Sequence, residues 1–150
     1  MQRSISNQRT LTPFVYAIIF MVYIGLSSIY LFLPPLLSVL YILFSKYLKE
    51  DDTLNLAIVS FCLIIFEAEK SYLLFSSIIY FILIYRFFIP KLKQSIGCKS
   101  CVKFITVIIV YVGFYMFSML LSNVFLFPLP NIDYYVIYYI IIEFFIVSIL

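Results

Sequence analysis

Residues 134–150 read YYVIYYIIIEFFIVSIL, and one letter in that stretch, Glu143, decides how the rest is taken. A carboxylate in the middle of a long apolar run needs a partner, a proton or a wet cavity. Several kcal/mol oppose an exposed ion at such a depth in a bilayer. The remaining composition says that the solvent is lipid. Hydrophobic residues make up 65% of the 150 residues and charged residues 11%, against about 25% charged in a soluble domain. Mean hydropathy is +1.15. Such a chain cannot cover itself with a polar surface. The expected fold class is therefore all-α: a single transmembrane domain over 1–150, a polytopic helix bundle.

The punctuation divides the chain into six apolar segments, approximately 14–33, 34–48, 53–67, 71–89, 102–127 and 132–150. Pro34 and Pro35 end the first, because a proline donates no backbone hydrogen bond and pushes its predecessor out of the helical region. Asp51, Asp52 or Thr53 can cap the third, and Ser71 can open the fourth after EAEK. Pro128 and Pro130 bracket the turn FPLPNID, after which Asn131 or Asp133 can cap the sixth. The second and third segments are short for a full crossing, which takes about 20 residues. Arg3 and Arg9 before an apolar stretch resemble a signal peptide. The stretch is too long for that and no A-x-A-like site follows, so it reads as an uncleaved first span.

Charge sets the orientation. With a cytoplasmic amino terminus and six crossings, Arg3, Arg9, Lys46, Lys49, Arg86, Lys91, Lys93, Lys99 and Lys103 fall inside, and of the ten basic residues only Lys70 falls outside. The positive-inside rule favours that arrangement, with the carboxyl terminus also cytoplasmic. The stretch IPKLKQSIGCKSC is the one sizeable hydrophilic connection. Its basic residues, with Arg86, Lys91, Lys93, Lys99 and Lys103 as a cytoplasmic cluster, would attract anionic headgroups or dock an acidic partner.

The chain has no histidine, which removes the usual metal ligand, general base and serine-type triad. Cys62 reads as packing. Cys98 and Cys101 form a lone CxxC, and zinc normally takes four ligands. No metal, no cofactor, no catalytic residue and no nucleic-acid partner is expected, and an enzyme is the weakest option.

Polar residues form stripes inside the apolar segments. Tyr135, Tyr139 and Glu143 follow i, i+4, i+8 along the sixth. Tyr111, Tyr115, Ser118 and Ser122 line the fifth, and hydroxyls from a facing helix can satisfy Glu143. The first carries Tyr16, Tyr23 and Tyr30, with Gly25 and Ser28 as a small pair for close helix approach. The fourth adds Ser76, Ser77 and Tyr80. Two readings stay open. The stripes are interhelical glue, or they line a cavity or groove centred on Glu143 with Tyr139, Tyr135, Tyr115 and Ser118. At the outer surface Glu67, Glu69, Lys70 and Asp133 form a rim that could meet a periplasmic partner. Glu67 and Lys70, three apart, could pair locally at little gain.

The order of features resembles the bacterial rod-shape-determining MreD family. A proline opens the second span in YLFLPPLLSVLYILF. An acid follows the third span, just before a small residue and the fourth, in SFCLIIFEAEKSYLLFSSIIYFILIYRF. A basic inner stretch then precedes a long fifth span and a final span, so the pattern covers nearly the whole chain. By position Glu67 would match the family's acid, Pro35 its proline and Ser71 its small residue. The family usually has aspartate there, preceded by glycine where this chain has Phe66, and a basic tail. The resemblance implies a non-catalytic inner-membrane subunit of the cell-wall elongation machinery. Its partners would be membrane lipid, the periplasmic scaffold MreC, and through it MreB and the peptidoglycan synthases. The family's fold is similar to the substrate-binding membrane subunit of energy-coupling-factor vitamin transporters, which implies a bundle with a central pocket. The alternative function is a small-molecule binding or transport subunit with its pocket at Glu143.

Overall fold

Runs of apolar residues broken by proline or charge give helices wherever the backbone must satisfy itself without water. The structure, a computed structural model, describes residues 3–128 and 134–150, with side chains from residue 12 onward. Pro130, Asn131 and Asp133 lie outside the described residues, as do the side chains of Arg3 and Arg9. Among the described residues the chain is all-helical. Its elements are α1 (Arg3–Ile29), α2 (Leu37–Glu50), α3 (Thr53–Glu69), α4 (Ser76–Leu83), α5 (Ile89–Ser95), α6 (Lys99–Ile108), α7 (Phe114–Phe125) and α8 (Tyr135–Ile149). A π-helical turn, Ile84–Phe88, joins α4 to α5 without a break, and a second, Ile109–Gly113, joins α6 to α7. The eight elements thus make six helical segments, in the order that the apolar runs predict. Two helices are long and apolar enough to cross a membrane, with spans at Thr12–Ile29 and Lys99–Phe125, and Tyr135–Ile149 is a shorter apolar helix.

Helix α3 packs against α1 and α2, α4 packs against α3 and α7, and α8 packs against α2 and α6. The core where they meet is aromatic and aliphatic. Phe81 is fully buried, with Tyr41 edge-on at 5.1 Å and Phe44 at 5.9 Å. The outward faces are also apolar: Phe14, Ile18 and Val22 on α1, Met116 and Leu120 on α7 and Phe145 on α8 are all more than half exposed. Helices this apolar on both faces suit an apolar surrounding.

Two turns and the start of α8 gather at one end of the bundle, called here the proline end. Tyr23 Oη donates to Pro34 O (2.8 Å), Ser27 Oγ to Leu33 O (2.9 Å) and Tyr139 Oη to Leu31 O (2.5 Å). The turns at 30–36 and 70–75 and the start of α8 meet around one cavity. At the opposite end, Lys103 Nζ donates to Val147 O (3.2 Å), placing a cation on the last turn of α8, where the helix dipole favours it.

Several expected details change. Helix α4 starts at Ser76 rather than Ser71, since the chain turns through Ser71 and Phe75 with φ of 56° and 68°. Asp52 stands at the N-cap of α3, but its side chain takes Asn55 Nδ2 (2.6 Å) and no helix N–H. A Cβ on Gly25 would meet nothing within 4 Å and Ser28 is exposed, so that pair does not mark a close approach. The close approach is at Gly113, where an added Cβ would collide with the Tyr80 hydroxyl. That hydroxyl donates to Ile109 O (2.7 Å) within the π-helical turn.

Candidate functional site

Two helices, α2 and α4, start after a left-handed residue that gives them no side-chain cap. Leu36 (φ 54°) precedes α2 and Phe75 (φ 68°) precedes α4, and neither supplies a side-chain cap. A left-handed non-glycine residue costs of order 1–3 kcal/mol and persists only where the surroundings impose it. The first N–H groups of each helix would otherwise be orphaned in an apolar interior. In both cases a glutamate from another helix accepts from the second residue of the uncapped helix, and in both that residue is a serine.

Glu143, on α8, is fully buried. Its Oε2 accepts from Ser38 N (2.8 Å), and its Oε1 accepts from the Tyr111 hydroxyl in the second π-helical turn. One carboxylate therefore ties α8, α2 and the α6–α7 helix together. Negative charge at a helix N-terminus is also favoured by the helix dipole.

Glu67, near the end of α3, is likewise fully buried. Its Oε2 accepts from Phe75 N (2.6 Å). Its Oε1 accepts from Ser77 N (2.5 Å), Ser77 Oγ (2.6 Å) and Ser76 Oγ (3.0 Å). This corrects the expected outer rim. Glu67 is not on a surface and does not pair with Lys70, because four donors from the next helix start draw its carboxylate inward. Glu69 and Lys70 are exposed.

The expected intramembrane group is divided in the same way. Tyr139 and Tyr115 line a cavity of about 250 Å³ at the proline end, together with Tyr111, Ser27 and Lys70. Glu143 does not line it, being held behind Tyr111. Tyr135 is 40% exposed and stacks on Tyr139 with ring centres 6.4 Å apart. Ser118 Oγ donates to Phe114 O (2.8 Å) in its own helix and lies against a separate, smaller cavity. A pocket centred on the acid is thus replaced by a pocket that carries a lysine.

The expected cytoplasmic basic loop is mostly helix. Arg86 lies in the first π-helical turn, Lys91 and Lys93 in α5, and Lys99 and Lys103 in α6, leaving only 96–98 between. All five are exposed, and Lys103 is engaged with α8. Cys98, at the N-cap of α6, and Cys101 are exposed free thiols. A hydrogen bond from the Cys101 thiol holds the Cys98 thiol below its ordinary range. Among the described residues no group of three or more His, Cys, Asp or Glu could hold a metal ion.

Sequence reasoning missed Ser38 and the capping role of Glu67. The available signal was two helix starts with a serine but no capping residue ahead of it, in a chain with two acids in or beside apolar runs. Chemically, the two carboxylates are acceptors held by fixed donors, which suits joining helices. Compared with known protein families, curated proteins and solved structures, the chain matches none.

Proposed function

We propose that this chain is a non-catalytic, six-span membrane scaffold of the rod-shape-determining kind, held in the bacterial inner membrane with both termini in the cytoplasm. The observation that carries this reading is the use made of its acids. Glu67, which would match the acid of the family it resembles, and Glu143 each fix a helix start, so the polar interior serves shape. The apolar exterior and the basic residues on α5 and α6 suit a membrane whose cytoplasmic leaflet is anionic. In the six-span arrangement the proline end faces the periplasm. It presents Glu69 and Lys70 to an MreC-like scaffold, and through that scaffold to the wall-synthesis proteins. The cationic end faces lipid or a cytoplasmic filament.

Depletion of the native gene tests this, with cell shape followed by microscopy and the tagged protein captured from mild detergent. Rounded cells and a co-captured single-span periplasmic scaffold are expected. Normal shape with no such partner would discard the reading. Maleimide labelling of Cys98 and Cys101 tests the orientation. Both thiols are expected to be blocked only by reagents that enter the cytoplasm.

A second reading, a small-molecule binding or transport subunit, is favoured by one observation, the cavity at the proline end. It approaches the range of ligand pockets, roughly 300–1,000 Å³.

A further inference from the structure

The start of α6 holds two thiols arranged as a pair. The chain has three cysteines. Cys62 is buried in α3, which leaves Cys98 and Cys101 as the exposed two. Cys98 is the N-cap of α6, with an extended backbone (φ −90°, ψ 114°), and Cys101 lies in the first helical turn. This placement brings the side chains together, and the Cys101 thiol donates to the Cys98 sulfur. Sulfurs already in contact need little backbone movement to join. The thiolate is the nucleophile of exchange, and three features favour it at Cys98. It stands at the positive end of a helix dipole, it accepts the Cys101 hydrogen bond, and Lys99 follows it. The local charge has one sign. No Asp or Glu occurs between Glu69 and Asp133. Lys91, Lys93 and Lys99 are exposed, and α5, which carries the first two, packs against α6. The acids Glu50, Asp51 and Asp52 belong to the separate α2–α3 turn. A small disulfide that carries negative charge is therefore drawn to the pair.

We propose that Cys98 and Cys101 form a thiol–disulfide exchange site for an anionic low-molecular-weight disulfide of the oxidised-glutathione class. The Cys98 thiolate attacks one sulfur of that disulfide and breaks its S–S bond, forming a mixed disulfide and releasing one small thiolate. Cys101 then gives up its proton and attacks the Cys98 sulfur, expelling the second small thiolate. The two protons shed by the cysteines end on the two released thiols. Two thiols of the chain are oxidised to one disulfide, and one small disulfide is reduced to two thiols. In a reducing compartment the pair stands as thiols and closes when the small disulfide accumulates. The site is independent of the scaffold role and of the cavity at the proline end. Cell shape can fail as a phenotype while exchange stands, and the reverse.

The test uses the full reduced chain in neutral detergent, with intact mass as the readout. Oxidised glutathione and cystamine, an anionic and a cationic disulfide, are the probes. The wild type is expected to lose two hydrogens and keep no adduct, and dithiothreitol should reverse the change. Cys101→Ser should stop with one glutathione on Cys98, because no second thiol expels it. Cys98→Ser should take glutathione on Cys101 several-fold more slowly. The double variant should stay unmodified, since Cys62 is buried. Lys99→Gln should lower the ratio of the glutathione rate to the cystamine rate about twofold, the Coulomb effect of one exposed charge, and added salt should shrink that difference. Cys98, Lys99 and Cys101 are exposed, so their replacement leaves the fold intact, with the melting temperature of the reduced protein as the check. A wild type that holds glutathione without closing, or Cys98→Ser reacting as fast as Cys101→Ser, would overturn the proposal. A rate ratio that Lys99→Gln leaves unchanged would overturn the preference for an anionic disulfide.

Discussion

Glu67 and Glu143 perform one task in two ways. Glu67 reaches forward eight to ten residues and caps the next helix, so its joint is local to the α3–α4 hairpin. Glu143 reaches back 105 residues to Ser38 and 32 to Tyr111, so its joint closes the bundle by fixing the last helix to the second and to the α6–α7 helix. The donors differ as well. Each oxygen of Glu67 faces a backbone N–H, which can only donate. At Glu143 one oxygen faces Ser38 N and the other a hydroxyl, which can turn round and accept. The local joint is thus chemically strict, while the long-range joint tolerates a change of donor sense.

That contrast orders the predictions. Glu67→Gln must aim its amide NH₂ at a backbone N–H, whichever way it is placed. It should destabilise the protein by about 3 kcal/mol, the cost of a buried donor left unpaired together with a lost charge-assisted bond. Glu143→Gln can keep Ser38 N on its oxygen and donate to a reversed Tyr111 hydroxyl, at about 1 kcal/mol. Unfolding in detergent by chemical denaturant measures both. Equal costs would remove the distinction.

A joint with no acid comes next. Tyr80 donates to Ile109 O and fills the space beside Gly113. Gly113→Ala should cost about 2 kcal/mol by overpacking. The double variant with Tyr80→Phe should cost less than the sum of the singles, because the hydroxyl is the colliding group. Additivity in that cycle would place the clash elsewhere.

At the opposite end, Lys103→Met should cost about 0.5 kcal/mol, the scale of a partly exposed cation at a helix C-terminus, and the effect should shrink as salt is raised. A cost that ignores salt would assign Lys103 a packing role instead.

The smallest effect lies at the solvent-exposed start of α6. The lowered Cys98 thiol holds more thiolate near neutral pH than an ordinary cysteine, so it should alkylate faster than Cys101 below the ordinary thiol range. The gap should close as pH rises and both thiols ionise. Cys101→Ala, which removes the donor, should slow Cys98. Equal rates for the two thiols throughout would contradict the hydrogen bond.

The helical segments were legible in the sequence because proline pairs and charges interrupt apolar runs, and those signals act locally. That a hydroxyl from the fifth segment could satisfy Glu143 was legible from the i, i+4 stripe beginning at Tyr111. Ser38 was not, since it lies 105 residues away and nothing local marks its N–H as orphaned. Glu67 was misread for a related reason. Beside Glu69 and Lys70 at a helix end it looks solvated, and only the turn through Ser71 and Phe75, which brings two serines back onto it, shows otherwise. Lys70 is legible as a cation between two apolar runs, but the cavity it lines is built from five helical segments and exists only once they pack.

The central claim is that each glutamate holds a particular helix start. Amide hydrogen exchange of the purified protein, wild type against Glu67→Ala and Glu143→Ala, tests it directly. Loss of protection should be confined to residues 71–79 in the first variant and should appear at residues 36–41 and around Tyr111 in the second. Unchanged protection at Ser38 and Ser77, or the same diffuse loss in both variants, would contradict it.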